Sequence, residues 1–241
     1  MSLAAHGVTH TGRRKTNEDA MLVDLELGLF VVADGMGGHN AGEVASAIAV
    51  STLRDFFVTQ GDRTEHALAD GLVLANDQVL AASGRPEYAG MGTTVVAACI
   101  TDDRVLFGSV GDSRIYLWRE RRLTQLTEDD SWVSRVLREE ALSEDDVQRH
   151  PMRHVLTKVV GLRADMEPSI GVNDFGPGDA LLLCSDGLHG SVPDPAIAET
   201  LVGNGAIEAA AQQLVDQALS RGATDNITVV IVRREESQGA K

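Results

Sequence analysis

Cysteine is nearly absent from this sequence: Cys99 and Cys184 are the only two in 241 residues. Both lie in apolar, strand-like runs, which reads as small buried thiols in a reducing compartment and excludes a disulfide-built secreted scaffold. No pair of cysteines or histidines has zinc-like spacing. Aromatic residues are scarce at 4%, so the core must come from Val, Leu, Ile and Ala. Positive charge is in deficit, with 21 Lys and Arg against 36 Asp and Glu and a net charge of −15. That balance argues against sequence-independent nucleic-acid binding, which needs a basic footprint. No apolar run approaches the roughly 18 residues that span a bilayer. "MSLAAHGVTH" also lacks the basic start and long apolar centre of a signal peptide. The expectation is a cytoplasmic protein with no membrane or nucleic-acid partner.

What the chain does have is an ordinary globular content, 43% hydrophobic and 24% charged, at a length that suits one domain. No internal repeat, heptad run or low-complexity tract interrupts it. A first strand is expected at about Leu3–Thr9, then a hairpin, "AMLVDLELGLFVVAD", turning near Glu26–Gly28. Asn40 is placed to cap a helix over "AGEVASAIAVSTLRDFF", and a second helix is predicted from Thr64 to Ala82 with Leu68, Leu72, Ala75 and Val79 on one face. Strands follow at "GTTVVAACI", "RVLFGSV", "RIYLWRE" and "RRLTQLT", too closely spaced for parallel pairing. From Glu128 to Arg163 the chain turns charged and helix-prone, with Pro151 inside, as a flap inserted on a β scaffold would. Strand signals resume near Met166–Val172 and at "ALLLCSDG". Helical patterns at Asp194–Leu201 and Ala206–Ser220 precede a last strand, "NITVVIVR". The tail, residues 234–241, is polar and expected to be disordered. The pattern predicts an α+β fold: a four-layer α/β/β/α sandwich, two antiparallel sheets flanked by helices, with a helical flap.

Four aspartates share a position in this pattern. Asp34 follows "LFVVA", Asp112 follows "VLFGSVG", Asp186 follows "ALLLCS", and Asp225 stands just before "NITVVIV". Each alone reads as a turn former. Together, at strand ends that antiparallel packing can bring to one rim, they read as a carboxylate cluster. The glycines after Asp34 and Asp186 let the backbone turn sharply and offer a carbonyl. Clustered carboxylates need a compensating cation, and hard oxygen donors favour Mg²⁺ or Mn²⁺. Two such ions sharing a water would lower its pKa enough for attack near neutral pH, the chemistry of phosphoester hydrolysis without a protein nucleophile. The acidic total also has a plainer reading, solubility.

"RKTNEDA", "VVADGMGGH", "AGEVAS", "MGTTVV", "VGDSRIY", "LLLCSDGL" and "TDNITVVIV" resemble, in order and spacing, the metal-dependent PPM (type 2C) protein serine/threonine phosphatases, and the chain is similar to their compact bacterial members. The resemblance runs from about Gly7 to Val232. It implies a single catalytic domain over residues 1–233 with its flap at about 128–163. It also implies a site holding two Mn²⁺ or Mg²⁺ ions and a weaker third, with a bridging hydroxide as nucleophile. By motif position Asp34 would bridge both metals, the Gly35 carbonyl would bind the second, and Asp186 and Asp225 would complete the shell of the first. Asp112, with Asp186, would serve the third ion, and Asp19 would act through water. Arg14 would clamp the phosphate of a phosphorylated protein, its guanidinium fork matching two oxygens. A gap from Gly12 one residue shorter than expected leaves Arg13 or Lys15 as possible sharers of that role. A monomer opposing a serine/threonine kinase is the implied setting.

Some residues depart from the pattern. Animal relatives carry histidine directly after the "DG", where this chain has Met36, so leaving-group protonation would come from metal-bound water, substrate context or another side chain. His39 is the nearest candidate, and its plainer reading is a residue that helps shape the site. His150 and His154 read as structural or substrate-facing, and Ser113 as a structural hydroxyl. "GDS" at Gly111–Ser113 also opens a Ser-His-Asp esterase motif, but it stands mid-chain and no histidine follows His189. "GMGG" lacks the spacing and lysine of a P-loop. The non-enzyme alternative is a phosphoprotein-binding pseudophosphatase, which should have lost metal carboxylates that this chain retains.

Overall fold

The computed structural model describes residues 2–37, 41–138, 152, 155–202 and 205–235. The strands are β1 (Leu3–His10), β2 (Asp19–Asp24), β3 (Leu29–Met36), β4 (Gly92–Thr93), β5 (Val95–Thr101), β6 (Arg104–Val110), β7 (Arg114–Arg119), β8 (Arg122–Gln125), β9 (Ser169–Asp174), β10 (Ala180–Cys184) and β11 (Ile227–Arg234). The helices are α1 (Ala41–Gln60), α2 (Glu65–Ala82), α3 (Trp132–Arg138), α4 (Asp186–His189), α5 (Asp194–Val202) and α6 (Ile207–Ser220). One sheet runs β1-β11-β10-β7-β8 and the other β2-β3-β5-β6-β9, with β4 paired to β3. Every ladder is antiparallel.

The period-two alternation of the strands builds the layers. On β3, Leu29, Val31 and Ala33 face α1 and α2, where they meet Ala45, Ala49, Leu53 and Leu72. Phe30 and Val32 point the other way, to Ile115, Leu181, Leu183 and Val230 of the opposite sheet. On the far side, Leu182, Val229 and Ile231 pack against Leu214, Val215 and Ala218 of α6. These three apolar clusters separate four layers, as the pattern predicts. The buried stripe of α2 is the expected one, and Thr64 caps it by accepting the Ala67 N–H at 3.2 Å.

Several boundaries differ from expectation. The strand expected near Met166–Val172 runs Ser169–Asp174, because Pro168 has no N–H to give a ladder and pairing begins after it. "GTTVVAACI" breaks at Thr94, which leaves the ladder to serve Asp34. Gly35 does not turn the chain; it continues β3 to Met36. Its lack of a side chain permits close approach instead, since a Cβ there would lie 2.1 Å from the Gly42 carbonyl oxygen and 2.5 Å from that of Glu18. The tail starts later than 234: Arg234 is the buried end of β11 and donates to the carbonyls of Asp102, at 2.7 Å, and Phe175. Asn40, His39, His150, His154 and much of the predicted flap lie outside the described residues, as do residues 236–241.

Candidate active site

The parity of β3 that sends Phe30 and Val32 between the sheets sends Asp34 there too, at the strand's end. Its register partner on β2 is Asp19. The inter-sheet core therefore changes from apolar to acidic at one edge. From the other sheet, Ser185 and Thr228 lie on the same inward parity and donate to Asp19 Oδ2 at 2.8 and 2.6 Å. Asp19 Oδ1 is buried and takes no hydrogen bond from the described residues.

Around Asp34 the backbone is fixed by threonines. Thr94 N–H and Thr93 Oγ1 both donate to the Asp34 carbonyl at 2.9 Å, and Thr94 Oγ1 accepts the Asp34 N–H at 3.1 Å. Ser113 Oγ, 2.7 Å from Thr94 Oγ1 and fully buried, is part of this frame. It is a structural hydroxyl, not an esterase nucleophile.

Asp112 and Asp186 come from neighbouring strand ends. Asp186 opens the single-turn helix α4, which the sequence pattern did not announce. At the helix end His189 Nε2 lies 3.0 Å from the Asp112 carbonyl oxygen. A carbonyl only accepts, so the ring carries its proton on Nε2. Burial and the nearby Arg114 pull the imidazole down to about 4, which keeps it neutral. Below it, Arg114 binds Asp129 in two-pronged fashion, Nε to Oδ1 at 2.9 Å and Nη2 to Oδ2 at 2.7 Å.

Asp225 joins from the loop before β11, next to Asn226. Asn226 Nδ2 donates to the carbonyls of Thr11 and Thr16 at 2.8 and 3.0 Å, and its Oδ1 accepts the Glu18 N–H at 2.8 Å. One amide thus ties the last strand to the loop that carries Arg14. Gly12, at φ +64°, passes so close that a Cβ would lie 1.9 Å from the Asp225 carbonyl oxygen.

These elements surround a cleft of about 600 Å³ lined by Asp34, Gly35, Asp112, Asp186, Asp225 and Glu18, together with Arg14, Lys15, Leu156, Val159 and Leu162. Four of the predicted acids and Gly35 line it directly, and Asp19 sits behind Asp34. Arg14 Nη2 donates to Asp225 Oδ2 at 2.7 Å. Arg13 does not line the cleft. Among the described residues the acids share the cleft without closing on one point: no three His, Cys, Asp or Glu side chains stand at ion-holding spacing. Asp225 is turned to the Arg14 guanidinium.

The donor set fits a hard divalent cation. All its donors are oxygens, and Asp19 Oδ1 is a buried acceptor with no proton offered to it. Burial, then repulsion from Asp19, Asp186, Asp112 and Asp225, raises Asp34 well above the usual carboxylate range. Asp112 is pushed to about 7 by burial and by Asp186, and Asp19 to about 6 by burial, against the hydrogen bonds of Thr228 and Ser185. A pocket this acidic favours an added positive charge. Ser185, Thr228, Asn226, Thr94 and His189 were not singled out from sequence; the first four stand inside the quoted motifs, which was the signal available, and His189 falls one residue beyond one of them.

A four-layer sandwich with an acid-lined cleft at the edge between its sheets defines a class of metal-dependent phosphohydrolase. The sequence profile of the family described as protein phosphatase 2C matches residues 6–221. The chain belongs to that family. It is 38% identical over 216 residues to the serine/threonine phosphatase stp of Listeria monocytogenes, covering 87% of this chain and 86% of that one. Its fold matches the Streptococcus agalactiae serine/threonine phosphatase with a TM-score of 0.91 at 32% identity, over 97% of this chain and all of the other. It also matches the catalytic domain of the serine/threonine phosphatase PstP in complex with two manganese ions, with a TM-score of 0.85 at 31% identity over 98% of this chain and 100% of that domain.

Proposed function

We propose that this protein hydrolyses phosphoserine and phosphothreonine monoesters in proteins, as one catalytic domain over residues 1–233 with a flap at about 128–163. The observation that carries the reading is the gathering of Asp34, Asp112, Asp186 and Asp225 round one cleft with Arg14 at its rim, in a chain whose relatives bear the name serine/threonine phosphatase.

In this reading Asp34, the Gly35 carbonyl, Asp186 and Asp225 hold two Mn²⁺ or Mg²⁺ ions, Asp112 with Asp186 serves a weaker third, and Asp19 acts through water. When bound, such ions would supply Lewis acidity for the phosphate oxygens and would lower the pKa of a water enough for attack near neutral pH. The chain's own part is positional. Thr93 and Thr94 hold the Asp34 backbone still, Ser185 and Thr228 fix Asp19, and Asn226 sets Asp225 beside the Arg14 loop. Arg14, with 60% of its side chain exposed, reaches the mouth of the cleft and orients the phosphate for in-line attack. Leu156, Val159 and Leu162 in the cleft lining limit water around the ester.

The same proposal has the enzyme working as a monomer in the cytoplasm, in signal transduction, opposite a serine/threonine protein kinase. No helix among the described residues is long and apolar enough to cross a membrane. The test is phosphate release from a phosphoserine peptide with Mn²⁺, with Mg²⁺ and with EDTA. Release that needs the cation supports the enzyme. Tight peptide binding without release, with cation present, makes the protein a phosphoprotein-binding pseudophosphatase instead.

A further inference from the structure

The cleft lining is mixed. It includes the charged Arg14, Lys15 and Glu18 beside the acids, and an apolar group, Leu156, Val159 and Leu162, from one segment of the chain. The same three residues also line a second groove of about 280 Å³, which adds Thr157, Met166 and the charged Lys158, Arg163, Asp165 and Glu167. Leu162 is 48% exposed.

A leucine on a free loop would be expected to fold against the core or move with the chain. This one is held out. Asn76 of α2 is 1% exposed and holds the segment with both ends of its amide, Oδ1 accepting the Gly161 N–H at 2.8 Å and Nδ2 donating to the Arg163 carbonyl at 2.9 Å. Val160 exchanges both backbone hydrogen bonds with Thr93, at 3.0 and 2.9 Å. Gly161, at φ +92°, sits where a Cβ would lie 2.2 Å from Val79 Cγ1. The residues on both sides of Leu162 are therefore fixed, and its exposure is built in.

The apolar group is also registered to the acids. A Cβ on Gly92 would lie 2.6 Å from Val159 Cγ1 and 3.5 Å from Leu162 Cγ, so the missing side chain lets both residues settle on β4. Gly92 pairs with Met36 and Thr93 with Gly35. The apolar group thus stands one strand from Asp34, on the same hydrogen-bonded frame.

We propose that Leu156, Val159 and Leu162 form a fixed shelf that receives a large apolar side chain adjacent to the phosphorylated residue, making phosphopeptides with such a neighbour the preferred substrates. This rests on the phosphatase reading. An extended peptide that points its phosphate at the acids carries its next side chains past the rim at about 3.3 Å per residue. Apart from Met36 and the glycines, the rest of the cleft lining is polar or charged, so an apolar neighbour buries itself best on these three side chains. The shelf offers it without reorganisation, because its backbone is already pinned.

The test uses the full chain with Mn²⁺ and phosphoserine peptides identical except for Leu or Ser at the residues flanking the phosphoserine. The Leu peptide should show about tenfold higher kcat/KM, the scale set by burying a few methylenes. Leu162→Ser should bring the two peptides level, and Leu162→Met should retain the preference. Equal rates for the two peptides in the natural protein, or a Leu162→Ser variant that keeps the tenfold ratio, would overturn the shelf. Hydrolysis of p-nitrophenyl phosphate by the natural protein separates the two levels. With it, a missing flank preference counts against the shelf alone; without it, the phosphatase reading falls and the shelf's role falls too.

Discussion

Asp19 and Asp34 face each other directly across the antiparallel pair β2–β3. Like charges in that relation repel at the shortest cross-strand distance. The fold accepts them because Ser185 and Thr228 hold one oxygen of Asp19 and because burial lifts both carboxyls above their ordinary range. The edge of the sandwich is thus least stable when it is most ready for a cation.

The first prediction concerns pH. In the unfolded chain an aspartate loses its proton near 3.8, whereas folded Asp19 keeps it to about 6 and Asp112 to about 7. Between about pH 4 and 7 the folded state holds protons that the unfolded state has released, so stability falls as pH rises. Thermal melts of the protein in EDTA should show Tm dropping by several degrees from about pH 4.5 to 7.5. Mn²⁺ at the upper pH should restore it. A Tm that rises over this interval would contradict the burial of uncompensated acids.

Asp34→Asn removes the most strongly perturbed charge while keeping the shape. Metal-free Asp34→Asn should melt higher than the natural protein at pH 7.5. Phosphopeptide turnover should fall at least about a hundredfold, the scale of losing one electrostatic contributor in a water-poor site. Turnover near the natural rate would remove Asp34 from the metal shell.

Arg14→Ala tests the clamp. The Arg14–Asp225 pair is exposed, 60% and 34% for the two side chains, so its loss should change stability by less than about 1 kcal/mol. KM for a phosphopeptide should rise about tenfold or more. Arg14→Lys should recover only part, having a charge without the fork. Mn²⁺ affinity by calorimetry should hold or improve, because Asp225 loses a competing cation. Unchanged peptide kinetics would move the role to Lys15, which also lines the cleft.

Arg114→Met breaks a pair whose side chains are only 22% and 13% exposed. It leaves Asp129 charged without its partner, at a cost of about 3–5 kcal/mol. Chemical denaturation should show that loss. Arg114→Met combined with Asp129→Leu should recover much of it, since the desolvated charge is then gone.

Much of this was legible in the sequence because local pattern and long-range packing agree. The alternation of "LFVVAD" sets the inward parity that delivers Asp34, and the helical stripe of α2 needs no tertiary knowledge to find. What could not be read was contact between distant residues whose side chains are ordinary in their local setting. Ser185 and Thr228 look like any strand hydroxyls until Asp19, 166 and 209 positions away, is brought between them. Arg234 looks like the start of a polar tail until the Asp102 carbonyl, 132 positions off, accepts its guanidinium. Gly35 suggested a turn because glycine permits one, whereas its function here is closeness to Gly42 and Glu18.

Asn226 links the loop ahead of the final strand to Thr11, Thr16 and Glu18 near the start of the chain. A polypeptide emerging from the ribosome makes Asp34 and Asp112 early but cannot seat Arg14 or supply Asp225 until β11 has left the exit tunnel. On the proposed reading, translation would time the onset of catalysis: a copy truncated before β11 would lack Asp225 and the Asn226 tie to the Arg14 loop, and should release no phosphate.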